Sequence, residues 1–401
     1  MPGDETCGAR PRKSFLHPVP QNAPHVSAGM NPVRSQPKPR TQSYGVNVLE
    51  LPKGQRPKAK DVSPWYGVHR IANGRGVRMK SIMGAFMMAL LFLLSGSADA
   101  LAERINFSFS SLTGTQSPLW VAKEAGFFQK QGLDARLVYI PGGSVVVQAM
   151  HSGELQFGVS GPAAVIRGNL GGSDFAFVAV GSNKIDFVLV TAKHITAVQD
   201  LKGKRVGVGR FGGGPDYSSR IVFEKLGLKP EKDINLLQTL GGQPTRLAIL
   251  QSGAMEGVVI APPFTLQAKQ LGFNLLLEYS KLIPNYFSSG FITTRRYIRE
   301  NPQIVENTVK ALMDATRYLF SNEDGTIKIV GRYMKITDEA FLRSYYREAL
   351  LGQINKTLHP DLKAIEFILE EERKTNPAAE RVRPEDFMDT RFLDKLKKEG
   401  Y

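Results

Sequence analysis

Cysteine is almost absent from this 401-residue sequence: Cys7 is the only one, and none follows it. A chain region without cysteine has no intramolecular disulfide, no thiolate nucleophile, no cysteine-ligated metal and no cysteine for a lipid anchor. The part of the chain after residue 102 is therefore expected to be a soluble, unanchored protein that folds without cross-links.

Sequence motifs of common enzymes are also missing. The sequence has no G-x-S-x-G elbow, no GxxxxGK[ST] phosphate loop and no HExxH pair, and His151, His194 and His359 lack metal-ligand spacing. Neighbouring acids occur in runs such as residues 370–372, which are typical of a solvated helix face. These absences predict a protein without catalytic activity and without a metal or other cofactor.

The one strongly apolar segment is short. Residues 79–102, "MKSIMGAFMMALLFLLSGSADALA", contain one lysine, an apolar run over 82–94 and two Ala-x-Ala sites. This order is typical of a secretory signal peptide, and the run is short for a membrane span. We therefore expect cleavage near Ala102 and a periplasmic location; a buried helix or a membrane anchor is the alternative.

The net charge of +15 is concentrated before this segment. Residues 1–78 hold thirteen Lys and Arg against four Asp and Glu, together with eleven of the 24 prolines. Such a composition cannot bury enough apolar surface to fold, so this basic extension is predicted to be disordered, or to lie upstream of a true start at Met79. The rest of the chain carries little excess charge, and no nucleic-acid partner is expected.

Apolar runs and helical segments alternate after residue 105. Strands are predicted at 105–110, 135–140, 155–160 and 175–180, with helices between them. The alternation restarts with strands at 204–209, 234–239, 256–261 and 273–278, and the chain after residue 297 is helical. This pattern predicts an α/β protein with two lobes, each a mostly parallel sheet flanked by helices, and a helical C-terminal tail.

The two halves also align with each other. Residues 149–172 match residues 249–272 at an offset of 100 without a gap, and "FFQKQGL" matches "VFEKLGL" at an offset of 95. Glycine and proline recur wherever helices and strands meet, so chance similarity is the alternative. We interpret the match as one structural plan used twice.

A literal GxGxxG pattern, formed by Gly207, Gly209 and Gly212, lies between a predicted strand and a predicted helix. A dinucleotide site also needs an acidic residue at the end of the second strand, and "INLLQTLGG" at 234–242 has none. We therefore interpret the glycines as part of a loop whose free backbone amides line a cleft.

Small polar residues follow the predicted strands at the edge where open α/β sheets bind ligands. Their hydroxyls, backbone amides and helix N-termini suit a small polar or anionic ligand, although helix capping alone could explain each single residue. The predicted ligand-binding residues are Ser111, Thr113, Gln116, Gly143, Ser144, Ser160, Arg210, Gly212, Gly213, Gly214, Asp216, Tyr217 and Pro262.

Three segments, "WVAKEAGFFQKQGLDARLVYIPGGS", "LKGKRVGVGRFGGG" and "SGAMEGVVIAPPF", together with the export signal and the helical tail, resemble the periplasmic solute-binding proteins of ABC importers. The resemblance is to the nitrate, sulfonate and taurine type, which includes thiamine-precursor binders similar to yeast pyrimidine synthases. The cysteine-rich motif of the pyrimidine synthases is missing here, which argues against that activity.

This resemblance implies a type II periplasmic-binding-protein fold, with lobe one at 103–190 and 291–401, lobe two at 191–290 and crossings near Thr191 and Phe291. It further implies a hinge that closes on the ligand, and docking of a monomer on an inner-membrane ABC permease with its ATPase. By motif, the ligand loops of such proteins correspond to Ser111, Thr113, Gly143, Ser144, Ser160, Gly212 to Gly214 and Pro262.

Two other functions stay open at this point. An exported enzyme could use the same cleft, with Asp216 and Tyr217 as its candidate reactive groups, or the two lobes could sense a ligand for a membrane receptor. The ligand itself also stays open among nitrate, bicarbonate, an alkanesulfonate, an aromatic acid and a pyrimidine. An anion would depend on Arg210, whereas a neutral heterocycle would depend on Phe211 or Tyr217.

Overall fold

A computed structural model describes residues 102–182 and 184–401. The predictions for the basic extension at 1–78 and for the signal peptide up to residue 101 lie outside the described residues. Two five-stranded sheets are present in the described part. The strands are β1 Glu103–Phe109, β2 Leu133–Tyr139, β3 Phe157–Ser160, β4 Phe175–Ser182, β5 Val188–Thr191, β6 Arg205–Val208, β7 Asn235–Gln238, β8 Gly257–Ile260, β9 Asn274–Glu278 and β10 Ser289–Thr294.

The two sheets have the same topology. The first has the order β2-β1-β3-β10-β4, and the second has the order β7-β6-β8-β5-β9. In each sheet the fourth strand is antiparallel to its neighbours, whereas the first three strands run parallel to one another. The predicted α/β class with two mostly parallel sheets is confirmed.

Helices cover both sheets and form the C-terminal tail. Their bounds are α1 Ser117–Glu124, α2 Phe127–Lys130, α3 Gly143–His151, α4 Pro162–Leu170, α5 Gly214–Lys225, α6 Gln243–Gln251, α7 Phe264–Gln270, α8 Arg295–Glu300, α9 Pro302–Ser321, α10 Glu323–Met334, α11 Glu339–Tyr345, α12 Leu351–Gln353, α13 Leu362–Arg373 and α14 Arg391–Lys398. No helix of residues 102–182 and 184–401 is both long and apolar enough to cross a membrane.

The helical tail packs on the first sheet. Helix α9 buries one apolar face against α1 and α2, and α13 packs against α4. The backbone N–H of Asp389 donates to the carbonyl of Phe177 on β4 at 2.9 Å. The tail and the first sheet therefore make up one lobe, here called lobe one, and the second sheet with α5, α6 and α7 makes up lobe two.

The offset of 100 residues between the halves is visible in the structure. Helices α3 and α6 cover 143–151 and 243–251, and strands β3 and β8 cover 157–160 and 257–260. Glycines at positive φ end the corresponding helices α2 and α5, at Gly132 and Gly227. The aligned segments therefore occupy equivalent places in the two lobes.

The sequence pattern did not identify the strands that cross between the lobes. Strand β5 begins at Val188 and belongs to lobe two, so this lobe starts before the expected crossing near Thr191. Strand β10 begins at Ser289 and already belongs to lobe one, before the expected crossing near Phe291. Both strands are almost fully buried between two neighbours, and their short apolar runs do not reveal which sheet they join.

Aromatic residues form the centre of lobe one. Phe107 of β1 is fully buried, and its ring centroid lies 6.3 Å from that of Phe128, 5.2 Å from that of Phe157 and 6.1 Å from that of Phe291. These partners come from α2, β3 and β10. One side chain thus connects a helix and two strands.

Replacing Phe107 by alanine should lower the free energy of unfolding by about 3 to 5 kcal/mol, because the substitution removes a fully buried ring and leaves a cavity in its place. Urea titration of the variant checks this value. The same measurement on Leu271→Ala, whose side chain is 44% exposed, should change stability by less than about 0.5 kcal/mol. Equal effects of both substitutions would contradict the packing described here.

Candidate functional site

A cavity lies between the two lobes, with the crossing segments at 184–187 and 279–288 contributing to its wall. The space open to the centre of a water-sized sphere is about 70 Å³. Lobe one contributes Ser110, Ser111, Thr113, Thr115, Pro141, Gly142, Gly143 and Gly161. Lobe two contributes Gly209, Arg210, Gly213, Gly214, Pro215, Thr239, Leu240, Gly241, Gly242, Gln243 and Arg246, and the crossing segments contribute Asp186, Phe187, Tyr286 and Ser288.

Four helices begin at this cavity, and each has a glycine as its N-cap. The N-caps of α3, α4, α5 and α6 are Gly142, Gly161, Gly213 and Gly242, and none provides a side-chain capping bond. The first backbone N–H groups of a helix lack intrahelical partners and carry the positive end of its dipole. Four helix starts without side-chain caps therefore bring the positive ends of four helix dipoles to the cavity.

Arg246, on the second turn of α6, adds a full positive charge to this wall. Its side chain is only 4% exposed, and its Nε donates to the carbonyl of Val259 at 2.8 Å. Among the described residues no carboxylate forms an ion pair with it. Burial lowers the pKa of Arg246 to about 10, so the guanidinium is charged at neutral pH. A buried cation without a counterion is a ready partner for an anionic ligand.

A chain of hydroxyls faces this wall from lobe one. Ser111 Oγ lies 2.8 Å from Thr113 Oγ1, which lies 3.1 Å from Thr115 Oγ1. All three residues line the cavity and follow β1. Hydroxyls both donate and accept, so this row can adapt to the polar atoms of a ligand.

The crossing segments contribute the acceptor groups of the cavity. Asp186 Oδ1 accepts a hydrogen bond from Ser288 Oγ at 2.6 Å, whereas Asp186 Oδ2 is buried without a hydrogen-bond partner in the described part of the chain. Burial raises the pKa of Asp186 to about 6, although the bond from Ser288 opposes this shift. The Tyr286 hydroxyl is also buried and has no partner in that part.

The lobes touch each other at the edge of the cavity. Ser144 Oγ of lobe one donates to the carbonyl of Phe211 of lobe two at 3.3 Å. A Cβ atom on Gly142 would lie 2.8 Å from Cγ of Arg210, and one on Gly242 would lie 2.6 Å from the hydroxyl of Tyr139. The structure therefore shows the two lobes in a closed arrangement.

Six of the predicted ligand-binding residues line the cavity. They come from both lobes, and they are Ser111, Thr113, Gly143, Arg210, Gly213 and Gly214. Two others lie next to it without lining it: Ser144 forms the contact with Phe211, and Gly212 donates its N–H to Asp216 Oδ2 at 2.8 Å.

Three further predicted residues, Gln116, Ser160 and Pro262, are not among the residues that line the cavity. Gln116 lies inside lobe one and is 1% exposed. Ser160 is fully buried, and its hydroxyl donates to the carbonyl of Gly161 at 3.3 Å. Pro262 precedes α7 and forms a cis peptide bond with Pro263. Gln116 and Ser160 are buried, whereas Pro262 is half-buried.

Asp216 and Tyr217, the candidate reactive groups of an enzyme, also lie away from the cavity wall. The Asp216 carboxylate accepts from Arg220 Nε at 2.9 Å in addition to the N–H of Gly212, so it stabilises the first turn of α5. The Tyr217 ring packs under Arg167 of lobe one, with 4.6 Å between the guanidinium carbon and the ring centroid. Asp216 thus bonds the backbone of the glycine loop, Tyr217 contacts lobe one, and neither is among the residues that line the cavity.

The GxGxxG segment forms a cleft loop, as the sequence indicated. Gly207 lies on the buried strand β6, whereas Gly209 lines the cavity. Gln238 stands at the end of β7, where a dinucleotide fold has its acidic residue, and its Oε1 accepts the N–H of Phe211 at 2.9 Å. This position supports the loop rather than a ribose. No group of three acidic, histidine or cysteine residues in the described ranges could hold a metal ion.

Sequence reasoning missed the charged centre of the site. Arg246 lies in a helix whose pattern resembled an ordinary amphipathic one, and Asp186, Tyr286 and Ser288 lie in crossing segments without a motif. One signal pointed to Arg246: the segment "GGQP" at 241–244 is the lobe-two counterpart of "PGGS" at 141–144. A residue one turn beyond such a helix start faces the same side as the start itself.

Comparison with known proteins identifies the family. A profile of the NMT1-like family matches residues 101–331. The chain belongs to the NMT1-like family. A relative from Brucella abortus, described as a binding protein, is 28% identical over 264 residues, which cover 65% of this chain and 80% of the relative.

Solved structures share the two-lobed fold with this NMT1-like protein. The alkanesulfonate-binding protein SsuA from Xanthomonas axonopodis, bound to MOPS, has a TM-score of 0.58 at 18% identity and covers 71% of this chain and 96% of its own. The periplasmic nitrate-binding protein NrtA from Synechocystis has a TM-score of 0.60 at 17% identity, covering 75% and 89%. The periplasmic-binding-protein fold predicted from the sequence is confirmed.

A third similar structure is a mutant of DSZB in complex with biphenyl-2-sulfinic acid. Its TM-score is 0.54 at 14% identity, and it covers 74% of this chain and 99% of its own. At this level of identity the likeness concerns the fold alone.

Gly142→Ala should hinder closure of the NMT1-like protein, because the new methyl group would meet Arg210 across the cleft. Small-angle X-ray scattering should show a larger radius of gyration than for the unchanged protein. Gly172→Ala is the matched control, since Gly172 has the same φ of 100° but no heavy atom within 4 Å of the added Cβ. If both variants are equally compact, the contact between Gly142 and Arg210 does not limit closure.

Asp186→Asn should remove a pH dependence of stability. Burial raises the pKa of Asp186 from 3.8 to about 6, so between these values the folded state binds more protons than the unfolded state. The contribution of Asp186 to the free energy of unfolding therefore falls as the pH rises through this window. Without ligand, the variant should gain melting temperature over the unchanged protein at pH 7.5 but not at pH 4. A constant difference across this range would contradict the burial of the carboxylate.

Proposed function

We propose that this protein is the extracytoplasmic solute-binding component of an ABC importer, and that it binds a small anionic solute between its lobes. Arg246 carries this proposal, because its buried guanidinium lines the cavity without an ion-pair partner in the described part of the chain. Leaving such a charge unpaired costs several kcal/mol unless a ligand provides the counterion. Family membership and the binding-protein relatives support the same conclusion.

The helix starts favour the same class of ligand. Backbone N–H groups of the first turns of α3 to α6 meet Arg246 and Arg210 at one cavity. Helix N-termini bind carboxylate, sulfate-like and phosphate-like groups because donor and dipole act together. Two lobes that both present such donors would close around one anion.

The size of the cavity favours a small solute. One water needs roughly 10 to 15 Å³ of space measured in this way, and about 70 Å³ is open here. In the closed arrangement this is room for a solute of a few non-hydrogen atoms. Nitrate, bicarbonate and short alkanesulfonates match this size, whereas larger aromatic acids would require the lobes to move apart.

Export and delivery to a permease complete the proposed role. Strand β1 begins at Glu103, directly after the Ala-x-Ala segment, and the N–H of Glu103 donates to the carbonyl of Gly132 at 2.9 Å. Cleavage near Ala102 would therefore leave the first strand intact. The closed monomer would then dock on an inner-membrane permease and its ATPase, the step at which the lobes reopen.

The second candidate function is an enzyme that uses the same cleft, and one observation favours it. Asp186 is a titratable group on the cavity wall, as acid–base catalysis would require. Two other residues were considered for catalysis. Asp216 pairs with Arg220 within lobe two, and the Tyr217 ring contacts Arg167 of lobe one. The protein can be incubated with each solute that it binds. Chemical conversion of any of these solutes would favour the enzyme.

Anions should raise the melting temperature of the protein, since a ligand that binds only the folded state stabilises it. A thermal-shift series with nitrate, bicarbonate, ethanesulfonate and benzoate measures this effect, with thiamine-type aminopyrimidines as neutral probes. Arg246→Met should weaken binding of the stabilising anion by about 10- to 100-fold, the loss expected for a charged hydrogen bond.

The ligand-free stability of the variant separates binding from folding. Arg246→Met keeps the apolar bulk and removes an unpaired buried charge, so its melting temperature should equal or exceed that of the unchanged protein. Arg205→Met, in the same lobe, removes an exposed arginine that pairs with Glu256 at 2.9 Å and should keep full anion affinity. Unchanged affinity of Arg246→Met would overturn the anion site.

A further inference from the structure

A tyrosine of the C-terminal tail reaches the loop that carries two hydroxyls of the cavity wall. Tyr345, the last residue of α11, is fully buried. A Cβ atom on Gly114 would clash with the Tyr345 hydroxyl and with the side chain of Leu350. Gly114 lies between Thr113 and Thr115, which both line the cavity. The tail therefore contacts the loop at the residue between two cavity residues.

The Tyr345 hydroxyl is hydrogen-bonded at this contact. It donates to Oε1 of Gln353 at 3.4 Å. Burial raises the pKa of Tyr345, the charge of Asp186 adds to this shift, and a hydrogen bond from the backbone N–H of Gly114 opposes it. The hydroxyl is therefore protonated at neutral pH. A protonated hydroxyl can accept from Gly114 and donate to Gln353 at the same time.

The helix changes its form at this tyrosine. Residues Tyr346–Leu350, here called the π turn, are π-helical and connect α11 with α12. In an α-helix, side chains five positions apart differ in direction by about 140°. In a π-helix the hydrogen bonds join residues five apart, so such side chains lie on one face. Tyr345 and Leu350 are five apart, and both reach Gly114. Single π turns occur frequently at functional sites.

The tail is also fixed to the strand that leads into a crossing segment. The backbone N–H of Asn355 donates to the carbonyl of Gly181 at 2.8 Å, and its Nδ2 donates to the carbonyl of Val180 at 3.0 Å. Both carbonyls belong to β4. Residues 332–401 lie outside the segment that the NMT1-like profile matches. The contact at Gly114 is thus made by a part of the chain that is anchored to lobe one and that the profile does not cover.

We propose that Tyr345 is a positioning residue of the solute site, because its hydroxyl holds the backbone of Gly114. The loop fixed in this way sets the direction of the Thr113 and Thr115 hydroxyls, whose oxygens lie 3.1 Å apart at the cavity. This inference rests on the proposed function, because it takes the cavity as the solute site. It gives the C-terminal tail a part in solute binding, although Tyr345 is not among the residues that line the cavity.

Tyr345→Phe tests the contact in the ligand-free protein, because it removes the hydroxyl and keeps the buried ring. Hydrogen–deuterium exchange measured by mass spectrometry should be about threefold to tenfold faster at residues 113–116, as the loss of one hydrogen bond predicts. Tyr346→Phe is the matched control. It removes the neighbouring buried hydroxyl, which donates to the carbonyl of Leu319 at 2.7 Å, and should leave exchange at 113–116 unchanged.

Calorimetric titration of the full chain with nitrate, bicarbonate, ethanesulfonate and benzoate measures the effect on binding. For each anion that binds the unchanged protein, Tyr345→Phe should weaken binding by about threefold to tenfold, whereas Tyr346→Phe should leave it unchanged. Both substitutions remove one buried hydroxyl of the tail, so a merely structural role would affect both alike. In a Thr113→Ala background Tyr345→Phe should weaken binding less, since one of the hydroxyls that it positions is gone.

The outcomes separate this inference from the proposed function. Equal exchange at 113–116 in Tyr345→Phe and in the unchanged protein would show that the hydroxyl does not hold the loop, and the inference fails. Faster exchange with unchanged anion affinity, an equal loss of affinity in both tyrosine variants, or an undiminished loss in the Thr113→Ala background would also overturn it. In these cases the anion site at Arg246 stands. If no anion binds the unchanged protein, the proposed function fails and this inference fails with it.

Discussion

Each sheet contains a strand that reaches it from the other lobe, and the site depends on this exchange. Strand β10 lies between β3 and β4, and β5 lies between β8 and β9, so the chain has to cross twice before either sheet is complete. The crossing segments are thereby fixed between the lobes. Asp186, Tyr286 and Ser288 lie on these segments, and their positions follow from the pairing of buried strands rather than from local loop structure.

The four helices that begin at the cavity lack the stability that a side-chain cap would give them. A serine, threonine or aspartate at a helix N-cap stabilises a protein by about 1 kcal/mol, because its side chain bonds the first amides. Glycine occupies that position in all four helices that begin at the cavity. No cap side chain bonds the first backbone amides of these helices, and Arg246 adds a buried charge to the same wall. Some helices away from the cavity have side-chain caps, for example α10 after Asn322 and α11 after Asp338.

Much of the fold could be predicted from the sequence, because buried parallel strands appear as apolar runs and helix ends as glycine and proline. The gapless match at an offset of 100 corresponded to α3 with α6 and to β3 with β8. The crossing strands could not be assigned, since a short buried run such as "VLVT" fits either sheet. Their place depends on pairing partners far away in the chain.

The site was predictable where it consists of loops at strand ends, and less so where it depends on side-chain direction. Arg210 and the glycines after β6 line the cavity as expected. Asp216 and Tyr217 follow the same loop, but helical rotation carries them into other contacts. Arg246 and Asp186 belong to the site only through tertiary structure, because one lies on a helix and the other on a crossing segment.

Strand β10 is synthesised late, and this limits the order in which the protein can fold. Strand β1 emerges early in synthesis, yet the sheet that contains it lacks an inner strand until residues 289–294 have been made. Contacts between such distant segments slow folding, because a long loop must close before they are gained. A nascent chain of this topology cannot complete its first sheet until most of the chain has been synthesised.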